Sequence, residues 1–219
     1  MKNIHAIILG ATGSVGQELL DLILRDSSFS KVSIFVRRKF SIEHEKLTTH
    51  EIDFSRLRDY KRLIDGDILF SAFGTTLKDA GSKTQQYLVD FNYQYEFAKM
   101  ASDNGINHFS LVSSSGANKR SFFFYPKIKG ELEQAVKKLP FKKIQIFQPP
   151  ILIRQLELMR NGERIGIRVF NVLNKIGLLK SQKPLSVSFL AKKMISEIKS
   201  EKILGIKTYK PKDIISSKL

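Results

Sequence analysis

A chain of 219 residues, 42% of them hydrophobic, is long enough to bury a full core within one domain. It has no cysteine and four scattered histidines, His5, His44, His50 and His108. That argues against disulfides, thiolate sites and a metal centre, and for a reducing, cytoplasmic setting. The net charge of +16, from 37 Lys and Arg against 21 Asp and Glu, raises nucleic acid, anionic surfaces and phosphate-bearing ligands as partners. The paired lysines (Lys137 and Lys138, Lys142 and Lys143, Lys192 and Lys193) alternate with apolar positions, however, as on the solvated faces of packed elements, so nucleic acid is not expected. No run approaches ~20 apolar residues, so neither a membrane span nor a signal peptide is expected.

Taken in chain order, the pattern alternates. Residues 4–10, IHAIILG, read as a buried strand, and residues 14–26 carry Val15, Leu19, Leu22 and Ile23 at helical spacing. A second strand is expected at 31–36, and further strands at 47–53, 67–72, 107–113 and 143–148. Helical stretches separate them at 55–64, 83–104 and 125–138, and a last helix is expected over 185–200. This alternation predicts an α/β fold, a Rossmann-like doubly wound parallel sheet covered by helices on both faces. The whole chain, 1–219, reads as a single domain, with 150–219 as a small cap on the substrate side.

Directly after the first strand stands GATGSVG, with Gly10, Gly13 and Gly16 three residues apart. Such glycines allow a tight turn and close approach of backbone to a pyrophosphate, and the following helix aims its positive end at the phosphates. The second strand ends in Arg37 and Arg38, where an acid would accept hydrogen bonds from an adenosine 2′-hydroxyl. Two arginines instead favour a 2′-phosphate, hence NADP(H) over NAD(H). Asp53, at the end of the third strand, is placed either to reach the adenine edge or to serve an ordinary turn. Phe73 and Gly74, after the fourth, are placed to line the middle of the cofactor.

Tyr125 and Lys129 form a Y-x-x-x-K pair that shares one helix face, just beyond the serines at 113–115. A free phenol titrates near ~10, so proton transfer near neutrality needs a shift of ~3 units, about 4 kcal/mol, for which Lys129 is a physical source. Tyr95 and Lys99 repeat the pattern but precede the fifth strand on a packing stripe, and are read as structural. A serine hydroxyl at the strand end can polarise a carbonyl. Ser114 is the first choice, and Ser113 and Ser115 remain open.

These motifs, together with FGTTLKDAGS, HFSLVSSSGANKRSFFFYPKIKGELE and FQPPILIRQLELMRNGE, span most of residues 5–165. They resemble the atypical branch of the short-chain dehydrogenase/reductase superfamily, and more closely the oxidoreductases related to the Tat-interacting protein. The resemblance implies NADPH held by Thr12, Gly13, Ser14 and Val15, by Arg37 and Arg38, by Phe73 and Gly74, by Tyr125 and Lys129, and further along by Leu152 and Arg160. It implies reduction of a small carbonyl compound with Tyr125 as proton donor, or else a cofactor-sensing protein that binds a protein partner with little turnover. One departure stands out: Gln148, Pro149 and Pro150 replace the Arg-Pro-Gly usual in the family, which removes a charge near the substrate side.

Overall fold

The computed structural model describes residues 3–153, 184–199 and 204–216. Strand β1 (Ile4–Leu9) leads into helix α1 (Ser14–Arg25), and β2 (Phe29–Val36) and β3 (Leu47–Glu51) follow. A 3₁₀ segment (Phe54–Leu63) connects to β4 (Ile68–Ser71), after which come short helices α2 (Leu77–Ala80) and α3 (Lys83–Tyr87). The chain then makes a π-helical turn (Leu88–Tyr93) and continues as α4 (Gln94–Asp103). Strand β5 (His108–Val112), helix α5 (Phe124–Val136) and strand β6 (Lys143–Phe147) complete the regular alternation. Beyond it lie β7 (Leu152–Ile153), β8 (Leu185–Ser186), α6 (Val187–Lys199), β9 (Gly205–Tyr209) and α7 (Pro211–Ile215).

The main sheet has the order β3-β2-β1-β4-β5-β6-β9, and every pair in it is parallel. The order reverses between β1 and β4, so the carboxyl ends of these two strands open a crevice of the kind in which open α/β sheets bind ligands. Because both faces of a parallel sheet are covered, its strands are apolar almost throughout: Ile7, Ile8 and Leu9 have no exposed surface. One face packs under α1 and α6 through Leu19, Leu20, Ile23, Leu190, Met194 and Ile198. The other packs under α4 and α5 through Phe97, Ala101, Leu132 and Val136. Truncating any fully buried leucine here costs about 2–5 kcal/mol through lost burial and the cavity left behind.

Two elements differ from the sequence expectation. The helix expected over 83–104 is interrupted by the π-helical turn, which widens the backbone at Asp90. Of the segment expected to form a cap, α6 joins the helical layer against α1, and β9 extends the sheet beside β6. The GIKTY run escaped notice because it begins with glycine and contains a lysine, as a short edge strand does.

The tail is held by a polar knot. Tyr209 stacks on Phe147 with ring centroids 4.5 Å apart, and its hydroxyl donates to Glu197 Oε2 at 2.6 Å. Gln145 Nε2 donates to the same hydroxyl at 3.2 Å, and Lys193 pairs with Glu197 from one helical turn away. Burial pushes the Glu197 carboxyl up, but the hydrogen bonds from Lys193 and Tyr209 outweigh it and hold the group below its ordinary value. A carboxyl with a depressed folded value stabilises the fold above its unfolded value, and that contribution is lost as pH falls through the folded one. Tyr209→Phe keeps the ring but removes one hydrogen bond from Glu197 and one from Gln145, which retain Lys193 and the Glu197 carbonyl as partners. Urea unfolding should show a loss of about 1–3 kcal/mol at neutral pH, and a smaller difference from wild type once Glu197 is protonated in acid.

Candidate functional site

The crevice at the switch point is a groove of about 630 Å³. Its floor is the glycine turn. Gly10 has φ +92°, and a Cβ there would lie 2.6 Å from the Ala72 carbonyl oxygen, so neither a side chain nor an ordinary backbone angle is tolerated. The turn is closed by the Gly13 amide, which donates to the Gly10 carbonyl at 3.0 Å. Gly13 occupies the N-cap of α1 without a side-chain cap, and no acid stands in the first turn, so the positive end of the helix faces the groove unneutralised. Gly10, Thr12, Gly13, Ser14 and Val15 all line it. Gly16 does not line it, and acts instead on the packing: a Cβ there would meet the Gly10 oxygen at 2.1 Å.

Arg37 follows β2 and lines both the groove and an adjoining cavity of about 470 Å³, where Glu51, Asp53, Phe54 and Tyr93 also sit. Arg38 is exposed and lines neither cavity. Asp53 caps the 3₁₀ segment: its Oδ1 accepts from the Ser55 amide at 2.8 Å and the Ser55 hydroxyl at 2.7 Å, which hold its carboxyl below the ordinary value. The apolar surface at this end comes from Phe54 stacked on Phe73 at 5.0 Å, and both rings line the groove. In the sequence Phe54 stands beside Asp53 at the end of the third strand, and its stacking on Phe73 comes only with the fold.

At the other end, Lys129 is 3% exposed, and its Nζ donates to Asp90 Oδ1 at 2.8 Å. The same ammonium lies 5.6 Å from the centroid of the Tyr125 ring. Burial alone would lower the Lys129 pKa, but the opposing charges of Tyr125, Asp90 and Glu133 outweigh it, and the pKa is raised above its ordinary value. Tyr125 is 42% exposed and presents its ring at the groove's mouth. The decoy pair is elsewhere: Lys99 is bound to Asp103 at 2.9 Å, and Tyr95 stacks on Phe91.

Asp90 is the residue that the sequence reading missed. It has no exposed surface, and its Oδ2 also accepts from the Thr75 amide at 3.3 Å. It approaches the strand end so closely that a Cβ on Gly74 would lie 2.9 Å from Oδ1. An acid among apolar positions of a helix is a signal, but only the π-helical turn aims it inward.

The three serines separate. Ser113 lines the groove and donates to Glu133 Oε1 at 2.5 Å, and Gln148 Nε2 donates to both oxygens of the same carboxylate, at 2.9 and 3.1 Å. Gln148 therefore bears on the buried Glu133. Ser114 lines a second cavity of about 340 Å³, together with Ser113, Ser115 and Tyr125, and its Oγ is buried without a hydrogen-bond partner. Leu152 lines both spaces. Arg160 lies outside the described residues. Among the described residues there is no group of three or more His, Cys, Asp or Glu that could hold a metal ion. Nor is any described helix long and apolar enough to cross a membrane.

Breaking the buried pair from one side leaves the other charge uncompensated. Asp90→Ala should destabilise the protein by about 3–5 kcal/mol in urea unfolding. Lys99→Ala, which breaks an exposed pair, should leave the urea midpoint nearly unchanged.

Residues 10–139 match a family model described as NAD(P)H-binding. Protein HTATIP2 of Rattus norvegicus is 37% identical over 177 residues, spanning 79% of this chain and 73% of the relative. Protein fmp52, mitochondrial, of Aspergillus niger is 35% identical over 179 residues, spanning 78% and 76%. Among solved structures, the enzyme WbmH of Bordetella bronchiseptica in complex with NAD+ superposes with a TM-score of 0.71 at 14% identity, covering 94% of this chain and 75% of that one. A putative epimerase from Bacteroides thetaiotaomicron gives 0.65 at 20% identity, covering 94% and 96%. At those identities the solved structures show the fold, whereas the family match and the sequence relatives carry descent. The chain belongs to the NAD(P)H-binding Rossmann family, in the atypical short-chain dehydrogenase/reductase branch that includes HTATIP2.

Proposed function

We propose that this protein is an NADPH-dependent reductase of a small carbonyl compound, formed by one domain over residues 1–219. The observation that carries the reading is the buried, charged Lys129 beside Tyr125 at the carboxyl edge of the sheet. The residues present fit a dinucleotide. The side-chain-free turn at Gly10, Gly13 and the start of α1 suits a pyrophosphate. Phe54 and Phe73 offer a flat apolar surface for an adenine, Arg37 offers a cation for a 2′-phosphate, and Gly74 and Leu152 line the way to Tyr125. When bound, NADPH supplies the hydride.

Tyr125 then gives its phenolic proton to the carbonyl oxygen. Lys129 holds a positive charge next to the phenol and stabilises the phenolate left behind. Asp90 fixes that ammonium in place and helps keep it protonated in a site that burial would otherwise discharge. Ser114 polarises the carbonyl from the second cavity. For Arg38, exposed beside Arg37, we assign a supporting charge to the phosphate, and for Arg160 a contact further along the cofactor. The acids Glu51 and Asp53 share the cavity of Arg37, and Asp53 is engaged by Ser55, so the preference for the 2′-phosphate rests on the arginines.

A second reading, NADPH sensing with a protein partner and little turnover, draws support from the same ion pair, because an ammonium bound to Asp90 has less of its charge free for the phenol. The cysteine-free composition suits a reducing interior such as the cytoplasm, and the fungal relatives' names add the mitochondrion to the compartments that fractionation should test.

Calorimetric titration should show NADPH binding more tightly than NADH. Replacing both Arg37 and Arg38 by Ala should cost about 2–4 kcal/mol with NADPH and little with NADH; equal wild-type affinities would sink the cofactor assignment. Tyr125→Phe should bind NADPH as wild type does while carbonyl reduction falls about 10²-fold or more. The matching Tyr95→Phe should leave both intact. Binding without turnover across a broad panel of aldehydes, ketones and quinones would select the sensing role.

A further inference from the structure

We propose that the cavity beside Ser114 and Tyr125 takes a carbonyl compound whose substituents next to the carbonyl carbon are hydrocarbon, and that it turns away 2-oxo acids and 2-hydroxy carbonyls. This rests on the reductase reading and adds the substrate class. At about 340 Å³ the space lies at the small end of ordinary ligand sites, roughly 300–1,000 Å³. It shares Ser113, Tyr125 and Leu152 with the main groove, so whatever fills it lies next to the reacting end.

The polar groups around it are nearly all spoken for. Its wall is Pro149, Pro150, Ile151 and Leu152. The two prolines have no N–H to offer. The Pro149 carbonyl accepts from the Ser115 amide at 2.9 Å, and the Ile151 carbonyl accepts from the Leu185 amide at 2.9 Å. The Ser113 hydroxyl is committed to Glu133, as is the side-chain amide of Gln148, next in the chain. Among the described side chains of the lining, two hydroxyls are left to meet a ligand: that of Tyr125, and that of Ser114, which is buried without a partner and needs only an ordinary rotamer change to turn. Two donors serve one carbonyl oxygen.

A carboxylate or hydroxyl on the next carbon would be pressed against prolines and aliphatic side chains and lose its water without replacement. An apolar wall discriminates against an added hydroxyl by about 10²-fold at most, and against a charge by more. The selectivity reaches only the first atoms around the carbonyl, those beside the described wall; a polar group farther out is unconstrained.

The test has a turnover arm and a binding arm. With NADPH in excess, wild type should reduce butanal with kcat/KM about 10²-fold or more above 2-oxobutanoate, and about 10-fold or more above glycolaldehyde. Without turnover, saturation-transfer NMR on the NADP+ complex should detect butanone and not pyruvate, two methyl ketones that the oxidised cofactor cannot reduce and that differ in the group beside the carbonyl. Ser114→Ala should weaken butanone binding and lower kcat/KM for butanal about 10-fold, with NADPH affinity unchanged. It should also leave Tm equal or higher, because it removes an unpaired buried hydroxyl. Equal or better use of 2-oxobutanoate, pyruvate binding as tight as butanone, failure of both ketones to bind, or a Ser114→Ala variant with unchanged butanone binding would each overturn the inference. Selective butanone binding with no reduction of any carbonyl compound would instead leave the pocket's selectivity standing and remove the reductase reading.

Discussion

The contact between Gly16 and the Gly10 carbonyl sets the position of everything around the groove. A Cβ at Gly16 would fall 2.1 Å from that oxygen, so α1 can lie this close to the end of β1 only because position 16 has no side chain. The approach seats the first turn of α1 over the switch point between β1 and β4, where the sheet order reverses. It also directs the helix's positive end into the crevice rather than over it. Once α1 is fixed, its apolar side is fixed too, and α6 packs against it from a stretch of chain more than 150 residues away. The glycine turn is therefore also the joint that docks α6 onto the start of the chain.

The other end of the groove is governed by electrostatics under burial. Lys129 and Asp90 are nearly inaccessible, and an unpaired charge buried in such a place is costly. Their pairing at 2.8 Å, with Glu133 one helical turn from Lys129, resolves the conflict in favour of the charged lysine. Glu133 in turn is satisfied by Ser113 and Gln148 rather than by a second cation. The network ties β5, α5, the π-helical turn and the loop after β6 to one another, and it stiffens the wall on which Tyr125 stands. It also accounts for Gly74, since a larger residue would push Asp90 away from the lysine.

Between these ends the site is made of few side chains. Backbone and glycine form the end at the start of α1, and two stacked phenylalanines form the flat surface near Arg37. The second cavity is small, and its described wall is mostly aliphatic and carries no charge, with the Ser114 hydroxyl buried without a partner.

Much of this was legible in the sequence. Alternating apolar runs specified the β-α-β order, because a strand buried on both faces and a helix buried on one leave different periods. GATGSVG specified the turn, because close backbone approach admits only glycine at Gly10 and Gly16. Local spacing likewise put Tyr125 and Lys129 on one helix face. Tertiary structure decided what depends on distant partners. It brought Asp90 to Lys129 across 39 positions of chain, made Asp53 a cap, and gave Ser113 to Glu133 while leaving Ser114 unpaired. It also turned the GIKTY tail into a seventh strand. A side chain's period can be read from its neighbours in sequence, but its hydrogen-bond partner is chosen by which elements the packed sheet brings within about 3 Å.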